Sequence, residues 1–348
     1  MRSVPRTAVI VIDNFNYARY LGDAIDSALK QTWPNCQVLI VDDGSIDDSR
    51  SVIAQRGHRV TAIFKENGGQ ASAVNAGFAA SEGNVYFFLD ADDLLGADTV
   101  TSVMRTFARY PAAARIQFPL GLVDAAGNSL PGTLPRRLDH MPNGNVVNQL
   151  LAYNDDLAWS PMSGNAYPAH VLDQILPIPE VDYPEIGADL YLLNLTPLFG
   201  PVVSLPSPGG SYRVHDGNAD FRWSVDLDRT RRIVHLSDVT HRHMRSRARQ
   251  LEIENRRIET VGRDSLTLYG HRLTLARLDS PGNNAPTSSA VAKAGIAAAF
   301  RRTDIPLARK VLFCGWLMAL AIAPSGAVRR LAQIPFGRQP KKIASYAE

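Results

Sequence analysis

The chain is poor in cysteine, has no apolar run long enough to cross a bilayer, and lacks the glycine-rich phosphate loops of many nucleotide enzymes. Its two cysteines, Cys36 and Cys314, stand far apart in 348 residues, which fits neither a disulfide framework nor a cysteine zinc site. No Gly-x-Gly-x-x-Gly opens a helix after the first strand-like segment, which disfavours a dinucleotide enzyme. No Gly-x-x-x-x-Gly-Lys occurs either, which disfavours an ATPase or kinase. The apolar run Ala8–Ile12 ends at Asp13 and is too short for a secretory signal. Repeats and low-complexity tracts are also missing. A reducing, cytoplasmic setting is the expectation.

What is present is divided by charge. Residues 1–220 hold 14 Lys/Arg and 24 Asp/Glu, a balance of −10, and the remainder holds 23 and 10, a balance of +13. An acidic body joined to a basic C-terminal part implies two surfaces with different partners.

The first hundred residues alternate strand and helix patterns. Ala8–Ile12, Gln37–Val41, Val60–Phe64 and Val85–Leu89 read as buried strands, and Tyr17–Gln31, Asp47–Gln55 and Ala71–Ala80 as helices. This repetition predicts an α/β fold, a mostly parallel sheet flanked by helices. Ligands of such sheets bind at the carboxyl ends of strands. Residues 115–220 are more irregular, with helices expected at Val171–Leu176 and Ala188–Phe199 and strands at Val202–Leu205 and Ser211–Val214. Phe221–Leu278 is helical in pattern and rich in arginine, and Ser280–Ser289 reads as a linker.

The strand ends carry the chemistry. Asp90-Ala91-Asp92, with Asp93 beside it, follows a hydrophobic strand, and a divalent cation is the simplest way to keep such carboxylates ionised together. Taken alone, Asp-x-Asp is also ordinary turn and helix-start chemistry. Asp42-Asp43-Gly44-Ser45 and Asn67-Gly68-Gly69-Gln70 end two other strands, and loops at successive strand ends converge on one edge of the sheet.

These motifs resemble the family-two inverting glycosyltransferases. Asn14-Phe15-Asn16-Tyr17-Ala18-Arg19-Tyr20-Leu21, Ala24 to Thr32 and Val41-Asp42-Asp43-Gly44-Ser45 open the match. Glu66-Asn67-Gly68-Gly69-Gln70, Asn75-Ala76-Gly77 and Leu89-Asp90-Ala91-Asp92-Asp93 continue it in the family's order. Ser163-Gly164-Asn165-Ala166, Ala188-Asp189 and Tyr212-Arg213-Val214-His215 fit the acceptor half. The likeness covers about residues 6–218.

The resemblance implies a GT-A (Rossmann-like) domain over residues 1–220, with a nucleotide-sugar half to residue 115 and an acceptor half from 116. A basic helical region at 221–279 and a linker with apolar C-terminal helices at 280–348 would follow. It implies Asp43 at the uracil ring, Asp13 and Asn14 bordering the nucleoside, Asn67 in the base and ribose pocket, and Asp90 on the ribose and metal side. Asp92 would ligate Mn²⁺ or Mg²⁺, with His215 approaching the metal or diphosphate, and Asp189 would be the general base. Trp159 stands ahead of the Ser163-Gly164-Asn165 loop, which would face donor sugar or acceptor; the indole reads equally as a stacking platform or as core. The implied partners are a nucleotide sugar, with UDP as the expected nucleotide, and a glycan or lipid-linked acceptor. Two positions depart from the family: Ala188 stands where many relatives have Glu, and Val74 where many have Arg. A nucleotidyltransferase and a catalytically silent sugar-nucleotide-binding subunit are the alternatives.

Outside the likeness, Val311–Ala323 is uncharged and mostly apolar, flanked by Arg309, Lys310, Arg329 and Arg330. It is shorter than the ~20 residues a spanning helix needs. A helix lying in a membrane interface on the inner face of the cytoplasmic membrane is the expectation, with a buried helix of a C-terminal domain as the alternative. No motif supports nucleic-acid binding.

Overall fold

Five successive apolar residues, Ala8 to Ile12, are wholly buried in the computed structural model. An unbroken run of this kind is what a parallel strand covered on both faces carries. It forms β1 (Ala8–Asn14). Residues 6–136, 140–215, 226–253, 256–279 and 286–333 are described. The start of the expected helical stretch (221–225), most of the expected linker (280–285) and the tail beyond 333 lie outside them.

The chain continues through α1 (Ala18–Leu29), β2 (Cys36–Asp42), α2 (Ser49–Ala54), β3 (Thr61–Phe64), α3 (Gly69–Ala79) and β4 (Val85–Asp90). Next come β5 (Leu94–Leu95), α4 (Thr99–Arg109), β6 (Arg115–Gln117), β7 (Leu120–Val123) and β8 (Ser129–Leu134). After α5 (Val147–Tyr153) follow β9 (Asn165–Pro168), α6 (Ala169–Ile175), α7 (Ala188–Leu195), β10 (Val202–Ser204) and β11 (Gly210–Arg213). α1 buries Tyr20, Leu21, Ala24, Ile25 and Ala28, one face at helical spacing.

A seven-stranded sheet has the order β10-β6-β9-β4-β1-β2-β3. β1 pairs parallel with β2 and β4, β2 with β3, and β10 with β6, while β9 runs antiparallel to β4 and β6. The sheet is therefore mostly parallel, as the α/β pattern predicts. A second sheet, β5-β11-β7-β8, was not expected. β5 has only two residues, and β8 contains Pro131 and Gly132, residues that weaken a strand reading.

Two compact units emerge. One comprises the described residues up to Val146 together with Ala158–His215; the other takes Val147–Leu157 and the residues from 226 on. The second unit is helical: α8 (Leu227–Gln250), α9 (Leu266–Leu278), α10 (Ser288–Arg301), α11 (Leu307–Ile322) and α12 (Ser325–Ala332). Asp156 ties the 147–157 segment into it. Its carboxylate accepts the backbone N–H groups of Leu266 (2.7 Å) and Thr267 (2.9 Å) and meets Arg302 at 2.6 Å. His241, also buried, shares Nε2 between Asn154 (2.8 Å) and Asp155 (3.1 Å).

Gly77 sets how closely α3 lies on the sheet, since an added Cβ would stand 2.4 Å from Val11 Cγ1. Gly77→Val should lower stability by about 1–3 kcal/mol through overpacking. Urea denaturation checks this, and an unchanged midpoint would contradict the packing.

Candidate active site

Strand order places the site. The chain leaves β1 through β2 and β3, then returns to its other side at β4, so the direction reverses at the carboxyl ends of β1 and β4, where sheets of this kind form their ligand crevice. Asp13 and Asp90 are register partners across this crevice. Beyond β4 the chain turns, with the Asp93 N–H donating to the Asp90 carbonyl at 3.0 Å. Ala91 points into the core and Asp92 stays partly accessible.

Asp92 Oδ2 lies 2.9 Å from His215 Nε2. The imidazole packs against the rings of Tyr20 (4.8 Å) and Tyr17 (5.7 Å). Arg213, buried, brings His215 there. Its backbone N–H donates to Asp93 Oδ1 (3.0 Å), its Nε to the Asp92 carbonyl (2.9 Å), and its Nη2 to Asp23 (3.0 Å). One arginine thus fastens β11 to the acidic turn.

The carboxylates crowd one another. Burial, added to by the charge of Asp92, pushes Asp13 up to about 7. Burial and then the charge of Asp13 raise Asp90 well above the usual carboxylate range, and burial and then Asp92 do the same for Asp93. Asp13 Oδ1 and Asp93 Oδ2 are buried with no hydrogen-bond partner. Among the described residues, no group of three or more His, Cys, Asp or Glu could hold a metal ion with protein atoms alone.

Asp189 is the second residue of α7, whose N-cap Gly187 has φ 103°. It is half-buried, and its Oδ1 accepts the Leu190 N–H at 2.7 Å. A carboxylate is favoured at a helix N-terminus. Its charge is among those that raise Asp90. Ala188 and Val74, the two departures from the family pattern, are both fully buried, and neither position offers solvent to a charged side chain.

Other expected site residues also bond to neighbouring loops. Asn14 is buried and donates from Nδ2 to Asp42 (2.8 Å) and Ser45 (3.0 Å), tying the β1 and β2 loops together. Asp43 is buried as well. Its oxygens accept from Lys65 Nζ (2.6 Å) and from the N–H groups of Gly68 (3.0 Å) and Gly69 (2.7 Å), which fixes the 66–70 loop. Asn67 on that loop is exposed. Gly69 has φ 82°, and an added Cβ would lie 2.1 Å from the Pro184 carbonyl oxygen, so only glycine lets the loop meet the segment leading to Asp189.

Ser163, Gly164 and Asn165 are buried. Ser163 Oγ accepts the Asp90 N–H at 3.1 Å, and Asn165 Nδ2 donates to the Pro161 carbonyl at 2.7 Å. Their visible work is to brace the end of β4. Trp159 is half-buried under the Arg115 guanidinium, 4.2 Å above its ring.

Several residues of the site escaped sequence reasoning. Gln70 Nε2 donates to Asp90 Oδ1 at 3.2 Å. Arg115 and Tyr167, both fully buried, lie side by side; burial brings Arg115 down to about 10 and raises Tyr167, with the charges of Asp189 and Asp90 adding to the latter. An arginine beginning a three-residue strand gives no sequence signal of burial.

Residues 9–155 match the sequence profile of glycosyl transferase family 2. Over that segment the chain is similar to the family. An uncharacterized glycosyltransferase of Nostoc sp. is 34% identical over 215 residues, 60% of this chain and 65% of that protein. Glycosyltransferase GlyA of Streptococcus pneumoniae is 31% identical over 106 residues, 30% of this chain and 15% of that protein. The chain therefore spans less than two thirds of either relative. S. aureus TarS 1–349 superposes with a TM-score of 0.59 at 15% identity, covering 94% of this chain and 90% of that one. Its complex with UDP-GlcNAc superposes at 0.60 with 13% identity. At these identities the likeness is one of fold, and the family-2 domain has the GT-A type of α/β architecture.

Within the family-2 domain, the acidic crevice predicts a pH effect. Asp13 holds its proton to about 7 in the folded chain, against an ordinary value of 3.8. Between those values the folded state binds more protons, so stability falls as pH rises through the window. Asp13→Asn should melt above the parent protein at about pH 8, with the gap closing towards about pH 4. A gap independent of pH would contradict the crowding.

Proposed function

We propose that the chain is an inverting, metal-assisted glycosyltransferase that moves a sugar from a nucleotide donor, of the UDP type, to a hydroxyl of a glycan or lipid-linked acceptor. The observation that carries the reading is the pairing of Asp13 and Asp90 across the strand-reversal crevice, with Asp92, His215 and Asp189 gathered around it. The named resemblance of the family-2 domain to glycosyltransferases supports the class.

The donor set fits a divalent cation held by few protein atoms. Asp92 and Asp90 are hard oxygen ligands with His215 beside them, and buried carboxylate oxygens without partners remain in the crevice. Mg²⁺ and Mn²⁺ sites of this kind draw their remaining ligands from water and substrate phosphates, so three protein ligands are not required. When bound, the cation would offset the negative charge of the leaving diphosphate.

Asp189 is assigned as the general base. It would accept the proton of the acceptor hydroxyl as that oxygen forms its bond to the anomeric carbon. The bond from that carbon to the diphosphate oxygen breaks, and the diphosphate leaves with the electron pair. One displacement inverts the centre. Asn67, exposed on the loop that Asp43 fixes, would border the base, and Asp13 the nucleoside. Holding donor and acceptor in one crevice supplies the orientation. The acceptor is proposed to be lipid-linked or polysaccharide, and the place of action the inner face of the cytoplasmic membrane.

Asp189→Asn should lower transfer by about a thousandfold or more while leaving nucleotide binding nearly unchanged. Transfer is scored with a panel of nucleotide sugars and Mn²⁺. Normal turnover in the variant would remove Asp189 from the base role, and a product with retained anomeric configuration would overturn the single displacement.

A further inference from the structure

α11 is apolar on both sides, yet only one side is covered. Phe313, Cys314, Leu317 and Leu320 are buried against α9, α10 and α12. On the opposite side Leu307, Val311, Leu312, Met318 and Ile322 are exposed, from 53% to 83%. Leu307, Val311, Met318 and Ile322 stand four, seven and four residues apart, so with the exposed Gly315 between them they line one side of the helix, and Leu312 widens it. A helix apolar all round is ordinarily buried, so this stripe needs a covering.

The charges beside it say what kind. Residues 287–333 contain seven basic residues, Lys293, Arg301, Arg302, Arg309, Lys310, Arg329 and Arg330, and one acidic residue, Asp304. That carboxylate is bonded to Arg302 at 2.7 Å, and Asp156 and Asp264 from outside the segment pair with Arg302 and Arg301, so the charge excess rests on the other five basic residues. Arg309 on α11 and Arg330 on α12 are exposed. A second copy of the chain would bring like charges together across the stripe, which is unfavourable. The exposed stripe is aliphatic and offers no aromatic anchor or hydrogen-bonding group of the kind that dominates protein interfaces. An apolar medium bordered by negative charge satisfies both features.

We infer that the exposed face of α11, with its bordering cations, is a docking surface for an anionic lipid bilayer, the helix lying along the interface. Sixteen residues give a helix of ~24 Å, below the ~30 Å hydrocarbon thickness. Among the described residues no helix is long and apolar enough to cross a membrane. The stripe enters the acyl boundary while the cations meet lipid phosphates. This deepens the membrane placement proposed above and rests on that reading, but uses none of its catalytic residues.

The test is cosedimentation of the full chain with vesicles of phosphatidylcholine alone or mixed with phosphatidylglycerol. Binding should favour the mixed vesicles by about tenfold or more and weaken with salt. The double variant Val311→Asp, Met318→Asp should lose binding to both vesicle types, and Arg309→Glu, Arg330→Glu should lose the anionic preference, each with an unchanged melting temperature. Equal binding to the two vesicle types, or parent-like binding by the Asp variant, would overturn the inference. So would self-association of the parent, seen by sedimentation velocity, that the Asp variant abolishes while vesicles go unbound. UDP binding measured on the same preparations separates the two readings, since a parent that binds vesicles but no nucleotide sinks only the catalytic one.

Discussion

Burial of neighbouring carboxylates is the constraint on which the first unit depends. Parallel pairing of β1 with β4 puts Asp13 opposite Asp90, and the turn after β4 adds Asp92 and Asp93. None of these positions is chosen for stability, because burying like charges together opposes folding. The surrounding structure holds them there. Arg213 fastens the turn through a backbone N–H and its guanidinium, Ser163 grips the Asp90 N–H, and Gln70 reaches its carboxylate.

The same arrangement explains why so many polar residues near the crevice are supports. Asp43 and Asn14 spend their hydrogen-bonding groups on neighbouring loops. Those bonds fix where Asn67 and Asp13 sit. Gly69, by admitting the 184–185 segment within contact, links the loop after β3 to the helix that carries Asp189. The loop after β3 and the start of α7 are thereby held by one set of turns in one unit. The helical unit carries the opposite charge and an uncovered apolar stripe, a division consistent with chemistry in one part and location in the other.

Much of this could be read from the sequence because it repeats locally. Buried runs such as Ala8–Ile12 and Val85–Leu89 mark parallel strands, and Asp or Gly at their ends marks the loops. The family pattern singles out Asp90, Asp92, His215 and Asp189, and the structure sets His215 against Asp92. What the sequence hid depends on distant contacts. Arg115 looks like a surface residue and is fully buried beside Tyr167. Asp43 looks free to meet a ligand, but Gly68 and Gly69 turn their N–H groups onto it. Of the second sheet only β11 was legible, at Ser211–Val214; β5 and β7 are too short and β8 too broken by Pro131 and Gly132 to carry a period. The 147–157 segment joins the helical unit through Asp156, a bond to residues more than a hundred positions away.

The central claim is that the acidic crevice between β1 and β4 receives a nucleotide diphosphate together with a divalent cation. Calorimetric titration of UDP into the protein, with Mn²⁺ and then with chelator, tests it directly. The account predicts binding with Mn²⁺ that is abolished by chelator and by Asp92→Ala. Equal affinity with and without the metal, or no UDP binding in its presence, would contradict it.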